Sequence, residues 1–279
     1  MNFLIRRATL DDVSVCAQIH IQAWQETYRG IIPDSYLDIV DLSKRASMWK
    51  KIIENKNIFN FVAEIEEVGV VGYLTGGKNR SSFFPDYCEI MGIYLLKEYH
   101  HKGIGQTLFN FGLRVLRENG YKKVSLWVLK ENSTCIFYSK MKGYTDKEQE
   151  IEIAGKKLLE IAYIWNEIIH QNIFHITSFS EWEKAKNQGY YEHPSLLKEG
   201  FIHCSSIHQV HRVANIWYKE YLHPVVLEVD PSKLKCELKY ESGGNQEDFP
   251  HVYGRIPIES VVQIKELIKA ANGNFTRLR

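Results

Sequence analysis

Two α/β (α+β) domains in tandem are predicted for this 279-residue chain, and three observations predict them. Apolar residues alternate between strand and helix periods through both halves. A glycine-rich turn, HHKGIGQ, joins an apolar strand to a helix. Near residues 166–172 the first pattern ends, and IFHITSFSEWEKAKNQG opens a fresh strand–helix unit. The expected division is 1–168, 171–270 and a frayed tail over 271–279.

The elements follow in order. Residues 3–7 read as a strand, and Thr9 as the N-cap of a helix whose apolar stripe is Val13, Cys16, Ile19, His20 and Ala23. Pro33 and Asp34 start a second helical stretch reaching Glu54. Strands are expected over 59–65, 70–74 and 88–96. Residues 105–119 are apolar on two sides, as in a helix packed between a sheet and another element. A strand over 123–128, a short helix over 133–141 and a hairpin over 148–165 turning at Ala-Gly complete this half. Crossovers mixed with late hairpins imply a mixed sheet flanked by helices.

Composition narrows the classes. With 44% hydrophobic and 25% charged residues, the chain has material for two cores without a metal or disulfide staple. A net charge of +1 gives no broad footprint for nucleic acid. Cys16, Cys88, Cys135, Cys204 and Cys236 are scattered, as expected of thiols in a reducing compartment. The opening MNFLIRRATLDD lacks the apolar stretch of a signal peptide, and no apolar run is long enough to span a bilayer. A cytoplasmic protein is expected.

The turn after the 88–96 strand carries the first chemistry. Gly103 and Gly105 let the backbone approach a ligand closely. Amides at a helix start point outward unpaired at the positive end of its dipole, which suits a pyrophosphate. By itself this pattern is also that of a plain tight turn.

Its surroundings decide more. IYLLKEYHHKGIGQ, the opening IRRATLDD, AWQETYRGIIPDSYLD, ENSTCIFYSKMKGY and LLEIAYIW succeed one another in an order that resembles the GNAT N-acetyltransferase superfamily, over residues 1–166. Two positions depart from the family pattern: His100 stands where Gln or Arg is usual, and Lys97 where proline is. The resemblance implies an acyltransferase that uses acetyl-CoA on a primary amine of a small molecule, amino acid or peptide. It implies backbone contacts from Ile93 and Leu95 to the pantetheine arm. It also implies pyrophosphate binding by His100, His101, Lys102, Gly103, Ile104, Gly105 and Gln106, and a cofactor contact from Asn132. Tyr138 matches the tyrosine that protonates the leaving thiolate, since a phenol is protonated at neutral pH. Glu89 is the candidate base, acting through water. Trp24 and Tyr28, one helical turn apart, are expected near the acceptor mouth. A non-catalytic acetyl-CoA-binding module is the alternative.

The second half resembles the DUF952 family, through FHIT, GFIHCSS and FPHVYG. Its fold is similar to the ADP-ribosyltransferase-like superfamily, which implies a nucleotide-processing alternative. His175, Thr177, His203, Ser205, His251 and Tyr253 are expected to converge on one polar pocket. No ligand spacing completes a metal site.

Overall fold

The computed structural model describes residues 3–167, 171–221, 223–243 and 247–279. It divides into two units, Met1–Ile169 and His170–Arg279. The expected boundary falls on residues 168–170, outside the described residues.

In the first unit, β1 (Phe3–Arg7) leads through a 3-10 turn into α1 (Val13–Tyr28). Asp12 ties that start together. It accepts from the Thr9 amide at 2.8 Å and from both Nη atoms of Arg6 at 2.7 and 2.9 Å. The helical stretch expected over 33–54 is two helices, α2 (Asp34–Asp38) and α3 (Leu42–Glu54). Asp41 causes the break, because its carboxylate caps the Ser43 and Lys44 amides and starts a new helix. There follow β2 (Ile58–Ile65), β3 (Gly69–Lys78), β4 (Cys88–Leu95), α4 (Ile104–Glu118), β5 (Val124–Leu129), α5 (Cys135–Lys140), β6 (Tyr144–Ile153) and β7 (Lys156–Trp165). The β6–β7 turn has Ala154 and Gly155 at φ 49° and 80°, the two positive φ angles of a tight hairpin.

These strands form one sheet in the order β1-β2-β3-β4-β5-β7-β6. Its neighbours are antiparallel except β4 and β5, which run parallel. A core on one face gathers Ile104, Leu108 and Phe109 of α4 against Leu74, Leu126 and Tyr163. On the other face Cys16 and Ile19 of α1 pack with Trp49 and Tyr73.

The second unit contains β8 (Ile173–Ser178), α6 (Phe179–Gln188), β9 (Tyr190–Tyr191), α7 (Pro194–Glu199), β10 (Ile202–His203), α8 (Val210–Trp217), β11 (Pro224–Val229), β12 (Leu238–Ser242), β13 (Asp248–Val252), β14 (Ile256–Pro257), β15 (Val261–Lys269) and β16 (Phe275–Leu278). They make sheets ordered β16-β15-β11-β8, β10-β13-β12 and β14-β9. The frayed tail expected over 271–279 is corrected by β16, which pairs with β15 and leaves Phe275 only 2% exposed. Burial of that one aromatic ring offsets the ordering cost of a short terminal strand. Among the described residues no helix is long and apolar enough to cross a membrane.

Candidate active site

β4 and β5 pair only at Cys88–Val124 and Glu89–Ser125 and then part. The gap is a cleft lined by Tyr28, Tyr94, His100, Trp127, Asn132 and Tyr138, among others. A bulge at Met91, between the Gly76–Ile90 and Thr75–Gly92 pairs, bends β4 where the strands separate. The Leu96 amide donates to Val71 on β3 at 3.0 Å. Alternation along the strand then turns the backbone groups of Leu95 and Ile93 away from β3, into the cleft. The Leu95 carbonyl meets the His100 ring there, 2.9 Å from Nε2. A carbonyl only accepts, so Nε2 carries the proton. His100 thus points at the strand rather than along the glycine turn.

At the top of the cleft α4 begins with Gly103 as N-cap at φ 81° and no capping side chain. His101 also has positive φ, 58°. Among the described residues the amides of residues 101–106 have no partner, and Thr107 to Gly103 at 3.0 Å is the first helical bond. A Cβ built on Gly103 meets nothing within 4 Å, and one on Gly105 only the Phe137 ring at 4.0 Å. Open space ringed by unpaired amides fits the pyrophosphate of acetyl-CoA. The Ile104 side chain is fully buried, whereas His101, Lys102 and Gln106 are exposed.

Asn132 is buried at the end of β5, where its Oδ1 accepts from the Thr134 amide and hydroxyl at 2.9 and 2.8 Å. That bond fixes the start of α5 and with it Tyr138, which is 6% exposed. Burial pushes the Tyr138 phenol well above its ordinary value, so it stays protonated. Tyr28 lines the same cleft, its hydroxyl 3.1 Å from that of Tyr94. Trp24 packs edge-on to Tyr28 at 5.3 Å and under the Arg45 guanidinium at 5.6 Å. It stands behind the cleft rather than in its lining.

Glu89 is 3% exposed and held by Arg80. Its Oε2 accepts from the Arg80 amide and Nε, both at 3.0 Å, and its Oε1 from Nη2 at 2.6 Å. A carboxylate oxygen has two acceptor positions, so Oε1 keeps one. Nothing local in the sequence marks Arg80 or Tyr94 as part of this site. Glu160 did carry a signal, since a lone carboxylate inside the apolar strand LLEIAYIW needs a reason to be there.

Residues 20–144 match the acetyltransferase (GNAT) family. The chain is 32% identical over 164 residues to the uncharacterized N-acetyltransferase YuaI of Bacillus subtilis, covering 59% of this chain and 93% of that protein. The chain belongs to the GNAT acetyltransferase family. As a GNAT protein it is an acetyl-CoA-dependent acyltransferase. It is also 21% identical to a spermidine N(1)-acetyltransferase of Thermoplasma acidophilum, over 52% of this chain and 89% of that protein. The PaiA N-acetyltransferase of the same organism, solved with coenzyme A, is 21% identical and covers 58% of this chain and 98% of its own, with a TM-score of 0.45.

Residues 176–264 of this GNAT protein match DUF952, a family of unknown function. A Caulobacter crescentus crystal structure is 32% identical and covers 38% of this chain and 94% of its own, with a TM-score of 0.36. In this unit the expected pocket residues fall into two groups. His175 is buried, with Nδ1 2.6 Å from the His203 carbonyl and Nε2 2.8 Å from the Tyr191 hydroxyl, which bonds Thr177 at 2.9 Å. Burial lowers the His175 pKa to about 3, and all its ring nitrogens are taken. Ser205 is buried and joins Phe174 through paired backbone bonds. The second group lies around Phe201, whose ring stacks on His251 at 4.1 Å, with His203 edge-on to His251 at 5.1 Å. Glu241 accepts from His251 Nδ1 at 2.7 Å and from the Tyr253 hydroxyl at 2.8 Å, and Glu199 meets His203 Nε2 at 2.8 Å.

Proposed function

We propose that the first unit moves the acetyl group of acetyl-CoA onto a primary amine by direct attack within the cleft. The observation that carries this reading is the parting of β4 from β5 directly below the unpaired amides of residues 101–106. Those amides would hold the pyrophosphate, and the outward backbone of Ile93 and Leu95 the pantetheine arm. When bound, acetyl-CoA supplies an acetyl group activated as a thioester.

The chain's own task is orientation and proton handling. The Ile93 amide faces the cleft and can donate to charge that develops on an acyl oxygen. Asn132, fixed by the start of α5, narrows the cleft beside Tyr138. Tyr138 keeps its proton until a leaving sulfur can take it. Tyr28 borders the acceptor's approach with Trp24 packed behind it, and a carboxylate on that face of the sheet takes the proton of the incoming ammonium.

The test is thiol release from acetyl-CoA with a panel of amines: spermidine, a short peptide with a free N-terminus, and an amino acid. Release above the amine-free rate is expected for at least one, and Tyr138→Phe should lower kcat by about 10²-fold with little change in KM for acetyl-CoA. Tyr138→Phe turning over at the wild-type rate would remove Tyr138 from the mechanism.

A further inference from the structure

The register of the sheet says which carboxylate stands on the acceptor side. Glu89 faces the same way as its partner Ser125, which shares its face with Trp127 and Leu129. Across β7, Leu129 is paired with Glu160 and Trp127 with Ala162. Glu89, Trp127 and Glu160 therefore project from one face, where Tyr28 and Leu37 cover Leu129 and Leu158. Tyr138 belongs to the opposite face, with Phe109 and Tyr163. A proton donor on one side of the split sheet thus faces a proton acceptor on the other.

The two carboxylates differ in what already holds them. Glu89 receives three hydrogen bonds from Arg80. Glu160 has one partner, Gln149 on β6, which donates to Oε1 at 2.5 Å. Among the described residues its Oε2 has no hydrogen bond or ion pair. Its diagonal neighbour Trp127 lines the cleft, and the indole Nε1 is buried with no partner among the described residues. A buried donor and a carboxylate oxygen on one face of the sheet, both unsatisfied among the described residues, are groups that bridging water can satisfy.

We propose that Glu160, rather than Glu89, accepts the proton of the acceptor ammonium. This rests on the acetyl-transfer reading above. Glu160 takes one proton from the ammonium, which frees the nitrogen lone pair. The C–N bond forms as the C–S bond breaks, and the sulfur takes the Tyr138 proton. The second nitrogen proton replenishes Tyr138 through solvent, and Glu160 returns its own, so one proton is released per turnover. The groups facing Glu160 are Tyr28 from α1, Arg80 from the segment after β3, Glu89 from β4 and Gln149 from β6. Burial raises the Glu160 pKa, Gln149 lowers it, Glu89 raises it and Arg80 lowers it, with a net upward shift. A base poised upward matches proton transfer near neutrality better than an ordinary carboxylate.

The experiment compares the intact wild-type chain with Glu160→Gln and Glu89→Gln, using whichever panel amine gives the fastest thiol release. Wild-type kcat is expected to rise with pH through a carboxylate limb above the ordinary glutamate range. Glu160→Gln should remove that limb and lower kcat about 10²- to 10³-fold, with KM for acetyl-CoA unchanged. Glu89→Gln should keep the limb and move it to lower pH, because a neighbouring negative charge is lost. Carbon-13 NMR of the glutamate carboxyls gives a readout independent of turnover. One carboxyl should titrate above the rest in the wild type and be missing from Glu160→Gln. A limb that survives in Glu160→Gln, or one abolished only by Glu89→Gln, overturns the assignment. Wild-type protein that releases no thiol with any amine overturns the acetyl-transfer reading itself.

Discussion

His20 couples the packing of α1 to pH. Its ring lies among Trp24, Tyr73 and Tyr94, with centroids 5.2, 6.1 and 5.9 Å away. Among the described residues neither ring nitrogen has a hydrogen-bond partner. Burial, with the Arg45 charge second, lowers its pKa from 6.5 to about 3. The folded unit holds the ring neutral, while the unfolded chain protonates it below about pH 6.5. Between those values the unfolded state binds more protons, so stability falls as pH falls, by at most about 1.4 kcal/mol per pH unit. From pH 7.5 to 5.0 only the ~1.5 units below the unfolded pKa count, which makes about 2 kcal/mol. In a unit of this size that corresponds to roughly 4–8 °C in Tm. His20→Leu keeps the side-chain volume nearly constant and abolishes the titration. Scanning calorimetry of both proteins at both pH values should show the wild type losing more Tm by that margin. His175 titrates in the same direction but is present in both proteins, so it cancels in the difference. Equal acid sensitivity in the two proteins would mean that His20 does not set the pH dependence of the unit.

Two further substitutions test the scaffold around the cleft. A Cβ on Gly143 would sit 2.5 Å from Cζ2 of Trp165, and that ring is pinned by its Nε1 bond to the Met141 carbonyl at 2.9 Å. Gly143→Ala should therefore cost about 1–3 kcal/mol and lower Tm by several degrees, and an unchanged Tm would mean the indole is free to move. Gly103→Ala meets no protein atom, but alanine at φ 81° costs about 1 kcal/mol or more. Its methyl enters the space assigned to the pyrophosphate, so acetyl-CoA should bind at least about tenfold more weakly. Wild-type affinity in this variant would empty that assignment.

Much of the first unit was legible because its signals are local. Thr9 and Asp12 mark a helix start, Ala154-Gly155 a hairpin, and Gly103 a left-handed N-cap, each through chemistry confined to a few residues. What escaped the sequence depends on register and on long-range pairing. No spacing rule places Arg80 on Glu89, and Glu160 shares a face with Glu89 only because β7 lies beside β5 in one particular alignment. The break between α2 and α3 was readable in principle, since Asp41 is a good N-cap, but helical periodicity on both sides masked it. The second unit shows the same limit. His175 and His203 sit in similar sequence settings, yet pairing with Phe174 and Tyr191 buries one network in the core. The other cluster gathers around Phe201. The terminal strand escaped because Phe275 finds its cover only in the folded sheet.

If the cleft between β4 and β5 is an acetyl-CoA site ready for transfer, the cofactor binds the intact chain without any amine present. Isothermal calorimetry of acetyl-CoA into the intact chain should show one site per chain, micromolar affinity, and displacement by coenzyme A. No heat and no displacement, in a protein whose melting curve shows it folded, would contradict that assignment.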